Sequence, residues 1–248
     1  MSKTALVTGA AAGIGRACAM RLAREGMAVG VLDIDLDGCQ RVVSEIEAAG
    51  GKAIALPASI ADRGRVTAAV ARLRETFGPV TVLVNNAGIT GTVPFKEITD
   101  EQWDRMMEVN LKGTFIVTQV VLPDMEAAKW GRIVNISSSS AQTGAVGMAH
   151  YSASKGAMIT LTRTLAQELG PLGITVNNIP PGTVMNTVMS EANRERFPIS
   201  LETLVKTMPV RRTGEPDDIA NACAWLVSEE TSYVTGQTIG VNGGRVVS

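Results

Sequence analysis

The sequence predicts an α/β fold: one doubly wound parallel sheet of about seven strands, with helices on both faces. Three observations predict it. Short runs rich in Val, Ile, Leu and Ala alternate with longer amphipathic ones along all 248 residues, the rhythm of parallel strands joined by right-handed crossover helices. The runs are apolar on consecutive residues, as strands covered on both faces are. No linker, charge block or low-complexity tract divides the chain, so residues 1–248 read as a single binding and catalytic domain.

The elements follow in order. Strands are expected at 4–8, 27–33, 52–57, 80–85, 131–137, 174–179 and 237–241. Helical periodicity falls between them, near 13–25, 36–49, 62–77, 99–120, 151–169 and 215–228. Residues 183–209 break the pattern, with Met185, Met189, Pro198, Met208 and Pro209 after the sixth strand. An insertion at the carboxyl edge of an open sheet is where a lid over a ligand belongs.

Composition removes several function classes. Hydrophobic residues make up 45% and charged residues 19%, which excludes global disorder. With 23 Lys+Arg against 24 Asp+Glu, the net charge of −1 argues against binding nucleic acid or an anionic membrane through bulk charge. Twenty-five glycines and 4% aromatics suit tight turns beside a ligand better than an RNA-stacking platform. Cys18, Cys39 and Cys223 form no CxxC pair, and His150 is the single histidine, so no metal site is expected. Without a disulfide framework, a reducing, cytoplasmic setting is the expectation. Lys3 and the apolar run after it imitate a short secretion signal, but Gly9, Gly13 and Arg16 break the run. No apolar stretch approaches the length of a membrane span.

Two clusters carry chemistry. Residues 8–15, Thr-Gly-Ala-Ala-Ala-Gly-Ile-Gly, follow the first strand and open the first helix. Gly9, Gly13 and Gly15 permit a tight turn and close approach of a pyrophosphate to backbone N–H groups at a helix N-terminus. Asp33 ends the second strand. A carboxylate there accepts hydrogen bonds from an adenosine ribose and repels a 2′-phosphate, which favours NAD over NADP; its alternative is a cap for the following helix. At the other end, Tyr151 and Lys155 stand one helical turn apart on one face. A nearby ammonium is expected to lower the phenol pKa, so that Tyr151 exchanges a proton with a carbonyl oxygen or an alcohol. Ser152 and Lys155 also spell S-x-x-K, an acyl-transfer pair, but its S-D-N and K-T-G companions are missing. A Ser-His-acid triad is a poor fit to a chain with one histidine, and a local structural or pocket-wall role is expected for His150.

Taken together these residues resemble the short-chain dehydrogenase/reductase family. The resemblance spans essentially the whole chain: Thr8–Gly15, Asn85-Asn86-Ala87-Gly88, Asn110, the serine run 137–140, Tyr151 with Lys155, Pro181-Gly182, Gly214-Glu215-Pro216 and Val241-Asn242-Gly243-Gly244. It implies a Rossmann-type fold, an NAD cofactor and a homotetramer. By resemblance, Tyr151 is the general acid/base and Lys155 holds the nicotinamide ribose, both also touching the cofactor. Ser138, thirteen before Tyr151, orients the substrate oxygen, with Ser137 and Ser139 as the alternatives. Asn110 positions a water that links Lys155 to solvent, its alternative being a helix-kinking amide. Ile14 joins the phosphate turn, Asn86, Ala87 and Gly88 line the adenosine side, and Pro181, Gly182 and Val184 pass near the carboxamide. Ser59 stands where the family often has an adenine-binding Asp, leaving backbone at Ile60 as a substitute. Asn186 or Thr187 replaces the usual Thr after the Pro-Gly turn.

The implied reaction is reversible hydride transfer between the cofactor and a carbonyl carbon. The favoured substrate is a secondary alcohol or ketone, with Met148, Met185 and Met189 as an adaptable apolar pocket. The alternative is a 3-oxoacyl thioester on an acyl carrier protein or CoA, whose enzymes have similar C-terminal motifs. A non-catalytic dinucleotide sensor is the remote alternative.

Overall fold

The computed structural model describes residues 3–185, 187 and 200–247. Six strands form one parallel sheet: β1 (Thr4–Thr8), β2 (Ala28–Asp33), β3 (Lys52–Pro57), β4 (Val80–Asn85), β5 (Gly131–Ile136) and β6 (Ile174–Ile179). Their spatial order is β3-β2-β1-β4-β5-β6. The order reverses between β1 and β4, and such a switch point opens a crevice outside the carboxyl ends of the strands. The helices are α1 (Gly13–Arg24), α2 (Leu36–Ala48), α3 (Arg63–Phe77), α4 (Asp100–Met107), α5 (Gly113–Ala128), α6 (Ser140–Thr143), α7 (Ala149–Leu169), α8 (Leu201–Thr207) and α9 (Pro216–Leu226).

Successive strand residues point to opposite faces, and both faces are filled. Ala5, Val7, Val29, Val31, Val82, Val84 and Val134 pack against Cys18 and Leu22 of α1, Val42 and Ile46 of α2, and Ile219 and Cys223 of α9. Leu6, Leu32, Leu83, Ile133 and Val176 pack against Val66, Val70 and Leu73 of α3, Ile116 and Val121 of α5, and Ala166 of α7. Cys18 and Cys223, far apart in sequence, meet across α1 and α9; their hydrogen bond and burial push the Cys18 thiol well above its ordinary pKa.

Two expectations are corrected. The seventh strand does not form a continuous ladder. Residues 237–241 run beside β6, but only through isolated parallel bridges, Asn178 to Thr238 and Pro181 to Val241. Pro180 and Pro181 have no N–H to donate. The side chains of Asn177 and Thr235 take hydrogen bonds a ladder would use, accepting Gln237 N at 3.1 Å and Val176 N at 3.0 Å. The helix expected over 99–120 is interrupted by a π-helical turn at Glu108–Lys112 and then runs on to Ala128. Of the segment read as a lid, 183–209, residues 186 and 188–199 lie outside the described residues; the part from 200 on contains α8.

The crevice is braced from below. Thr8 Oγ1 accepts the backbone N–H groups of Asn86 at 3.0 Å and Ala87 at 3.1 Å. The Asn86 amide answers by donating to the carbonyls of Thr8 at 3.0 Å and Gly9 at 3.1 Å. The loops after β1 and β4 are thereby locked together across the switch point. Thr8→Val keeps the shape and strands both N–H groups; we expect a loss of about 2 kcal/mol, read from the midpoint of urea unfolding.

Candidate active site

The glycine-rich turn is built for close approach. Gly9 and Gly13 have φ of +65° and +53°, in the region that favours glycine. A Cβ on Gly15 would stand 2.0 Å from the Gly9 carbonyl oxygen. Helix α1 begins at Ala12, which supplies no side-chain cap, whereas Asp35 and Asp62 cap α2 and α3. The first N–H groups of α1 are thus left to a ligand, and a helix N-terminus favours an anion.

Asp33 stands at the end of β2, where its carboxylate accepts Ala11 N and Asp35 N, each at 3.2 Å. The helix-capping alternative falls to Asp35, whose Oδ1 accepts Gly38 N at 3.0 Å. Behind Asp33, the Cys39 thiol is pushed up to about 11, first by burial and then by the Asp33 charge. The turn and carboxylate therefore fit a dinucleotide: bare backbone for the phosphates, and a negative acceptor for ribose hydroxyls.

The reactive end is a cavity of about 390 Å³ at the carboxyl ends of β4, β5 and β6. Ile14, Asn86, Gly88, Ser138, Met148, Tyr151, Lys155, Pro181, Gly182, Val184 and Met185 all line it. Of the remaining expected residues, Gly9 and Ala87 lie in the loops after β1 and β4, Gly13 and Gly15 open α1, Asp33 ends β2, and Asn110 lies behind Gly88. Ile60 is buried against Gly113 and does not line the cavity. Met189 and Asn186 fall outside the described residues; Thr187 lines the cavity. Sequence reasoning missed Thr90, Thr92, Ala145, Val146 and Thr183 on the walls. They belong to loops with no periodicity, so nothing local signalled them.

Among the consecutive serines, geometry separates the roles. Tyr151 is hydrogen-bonded to Ser138, while Ser137 Oγ faces the Ile179 carbonyl at 3.5 Å. Ser140, also unforeseen, donates to Ser138 Oγ from its hydroxyl at 3.0 Å and from its backbone N–H at 3.2 Å. With its acceptor sites filled in this way, the Ser138 O–H is left as the donor toward Tyr151 at the cavity wall.

Lys155 is buried one turn beyond Tyr151 on α7, its Nζ 3.0 Å from the Ile136 carbonyl and 3.6 Å from Met158 Sδ. Burial lowers its pKa to about 8. The expected acidification of Tyr151 is corrected here: burial pushes the phenol above 10, and the Ser138 hydrogen bond only partly opposes it. Burial penalises the phenolate by more than its hydrogen-bond partner returns.

Asn110 explains the π-turn. Its side chain is fully buried and pairs with both backbone groups of Ile89, accepting N–H at 2.8 Å and donating to the carbonyl at 3.0 Å. The same amide reaches Ser154 Oγ at 3.0 Å. A Cβ on Gly88 would lie 3.0 Å from Asn110 Oδ1 and 3.3 Å from Lys155 Nζ, so the glycine lets the three elements pack closely. His150 is buried with Nδ1 unpartnered, and burial lowers its pKa. It packs near Gly91 and does not line the cavity, in keeping with a structural role.

Carrying Lys155 in this setting costs stability. Its pKa falls from 10.5 to about 8 on folding, which corresponds to about 3 kcal/mol. Between those values the unfolded chain binds more protons, so stability rises with pH. Lys155→Met is expected to stabilise the cofactor-free protein by about 2 to 3 kcal/mol at pH 7. The gain should shrink as pH rises from about 8 towards 10.5, as thermal unfolding at several pH values will test.

The short chain dehydrogenase family matches residues 3–197. The chain is 40% identical over 245 residues to 3-oxoacyl-[acyl-carrier-protein] reductase FabG of Thermotoga maritima, covering 99% of this chain and 98% of that protein. It is 38% identical over 244 residues to the (2S)-[(R)-hydroxy(phenyl)methyl]succinyl-CoA dehydrogenase subunit BbsD of Thauera aromatica, covering 98% and 96%. The crystal structure of an actinorhodin polyketide ketoreductase variant with NADPH superposes with a TM-score of 0.94 at 37% identity, covering 98% of this chain and 97% of the other. With the turn at Gly9–Gly15, the strand order and the Ser138-Tyr151-Lys155 cleft all described, these full-length matches lead to one conclusion: the chain belongs to the short-chain dehydrogenase family.

Proposed function

We propose that this oxidoreductase reduces a 3-oxoacyl thioester to its 3-hydroxyacyl form, reversibly, with NADH as the preferred dinucleotide. The observation that carries the reductase chemistry is the convergence of Ser138, Tyr151 and Lys155 on one open cavity. The choice of thioester over simple secondary alcohol, the reading favoured from sequence alone, is supported by the relatives. A FabG protein is named a 3-oxoacyl-[acyl-carrier-protein] reductase and BbsD a subunit of a (2S)-[(R)-hydroxy(phenyl)methyl]succinyl-CoA dehydrogenase, each alike over nearly the full length.

The bound dinucleotide supplies the hydride. The chain supplies everything else. Tyr151, kept protonated by its burial, donates its proton to the carbonyl oxygen as negative charge grows there. Ser138, itself oriented by Ser140, gives that oxygen a second hydrogen bond. Two donors aimed at a developing charge lower the barrier more than they strengthen ground-state binding. Lys155 holds the nicotinamide ribose and supports the proton loss from Tyr151. Asn110 fixes the loop at Ile89 beneath them. Thr92, Ala145, Val146, Met148 and Met185 make an apolar wall for the acyl chain.

Asp33 supports NADH. Its carboxylate already braces the phosphate turn through Ala11, and a 2′-phosphate placed against it would meet like charge.

Two outcomes test this reading. Tyr151→Phe should reduce kcat for acetoacetyl-CoA by at least about a thousandfold, with NADH affinity by fluorescence nearly unchanged; substantial residual turnover would remove Tyr151 from its role. Wild-type kcat/KM should favour NADH, and Asp33→Ser should move the NADPH/NADH ratio upward by about tenfold or more. If cyclic or aryl ketones outperform the thioester with either dinucleotide, the alcohol dehydrogenase reading takes its place.

A further inference from the structure

The sheet face that carries α5 and α7 is packed with Leu83, Ile133, Val176, Ile116, Val121 and Ala166, yet one polar row crosses it. Asn85 of β4 and Asn135 of β5 are register partners. Thr118 of α5 and Thr162 of α7 meet them, and all four residues are at most 5% exposed. Asn85 Nδ2 donates to Thr118 Oγ1 at 3.0 Å and to Asn135 Oδ1 at 2.9 Å. Asn135 Nδ2 donates to Thr162 Oγ1 at 2.8 Å, and the Thr162 hydroxyl donates to the Met158 carbonyl at 2.8 Å. None of the four lines the cavity, and the proton chemistry above uses none of them.

The row ends at the reactive pair. Thr162 lies two helical turns beyond Lys155 on α7, on the same face. Met158, held by its carbonyl, has its sulfur 3.6 Å from Lys155 Nζ. On the strand side, Asn135 precedes Ile136, whose carbonyl accepts Lys155 Nζ at 3.0 Å. Shortly after comes Ser138, hydrogen-bonded to Tyr151. Helix α7 is thus tied to β5 and the turn after it through Thr162 and Asn135, Lys155 and Ile136, and Tyr151 and Ser138. Two of these ties hold reacting groups; the Asn135–Thr162 tie holds none. Apolar packing is non-directional and lets a helix settle at more than one height on a sheet. A buried hydrogen bond, costly to leave unmade, selects one height.

We propose that Asn135 and Thr162 are positioning residues for the reduction: their hydrogen bond sets the height of α7 along β5, and so places Lys155 on the Ile136 carbonyl and Tyr151 on Ser138. This rests on the roles given above to Ser138, Tyr151 and Lys155.

The test uses the full chain with NADH and whichever of acetoacetyl-CoA, an aryl ketone and a cyclic ketone it reduces fastest. Thr162→Val keeps the branched shape and removes the hydroxyl. It should lower kcat by about tenfold or more, with KM within about threefold and NADH affinity by fluorescence within about twofold. Thr162→Ser, which keeps the hydroxyl, should stay within about threefold of wild-type kcat. Combining Asn135→Leu with Thr162→Val replaces both partners by apolar groups, so the urea midpoint should rise above that of Thr162→Val while kcat stays low. The proposal is overturned if Thr162→Val keeps wild-type kcat, if Thr162→Ser falls as far as Thr162→Val, or if kcat recovers with the midpoint in the double variant. Should the double variant fail to fold, the Val and Ser pair decides alone. Tyr151→Phe is run alongside. If it keeps turnover, the catalytic reading falls and this inference falls with it; if it loses turnover and Thr162→Val does not, the inference alone is overturned.

Discussion

Holding Lys155 out of water is the constraint on which the rest of the cleft depends. The residue sits on α7 between the Ile136 carbonyl and the Met158 sulfur, partners that solvate an ammonium poorly. Burial therefore drives its pKa down while driving that of Tyr151 up. Burial thus works against the charged form of each group, yet with a pKa of about 8 Lys155 still carries its proton at neutral pH, beside a phenol that keeps its own.

The surrounding backbone is arranged to hold this pair without filling the space above it. Asn110 closes the hydrogen bonds of Ile89 and reaches Ser154 on α7, and the helix widens into a π-turn to bring that amide inward. Thr8 and Asn86 join the two loops at the switch point. Ser140 points Ser138 at Tyr151's side of the cavity. Each device satisfies buried polar groups locally.

The two ends of the crevice differ in their electrostatics. At the phosphate turn, bare N–H groups attract an anion, while Asp33 a few residues away supplies a negative acceptor whose field reaches the Cys39 thiol. At the reactive end the walls are apolar and Lys155 is the buried cation. These environments fit the phosphates, ribose and pyridine that a dinucleotide bound in the crevice would present.

Much of this was legible in the chain itself. Six of the strands and most helix boundaries follow from hydrophobic periodicity, because burial on two faces demands consecutive apolar residues. Tyr151, Lys155, Asp33 and the glycines are legible because their chemistry depends on short spacings along one element. The broken seventh strand, the π-turn, Ser140, and the Thr183 and Val146 walls were not, since each depends on a partner distant in sequence. The sign of the Tyr151 shift belongs to the same group. Sequence determined which residues stand together for the proposed proton transfer and cofactor contact, as local helix and turn geometry sets those neighbours. Tertiary structure alone decided how acidic they are, because the cost of losing water is set by packing from β5, β6 and the loops around them.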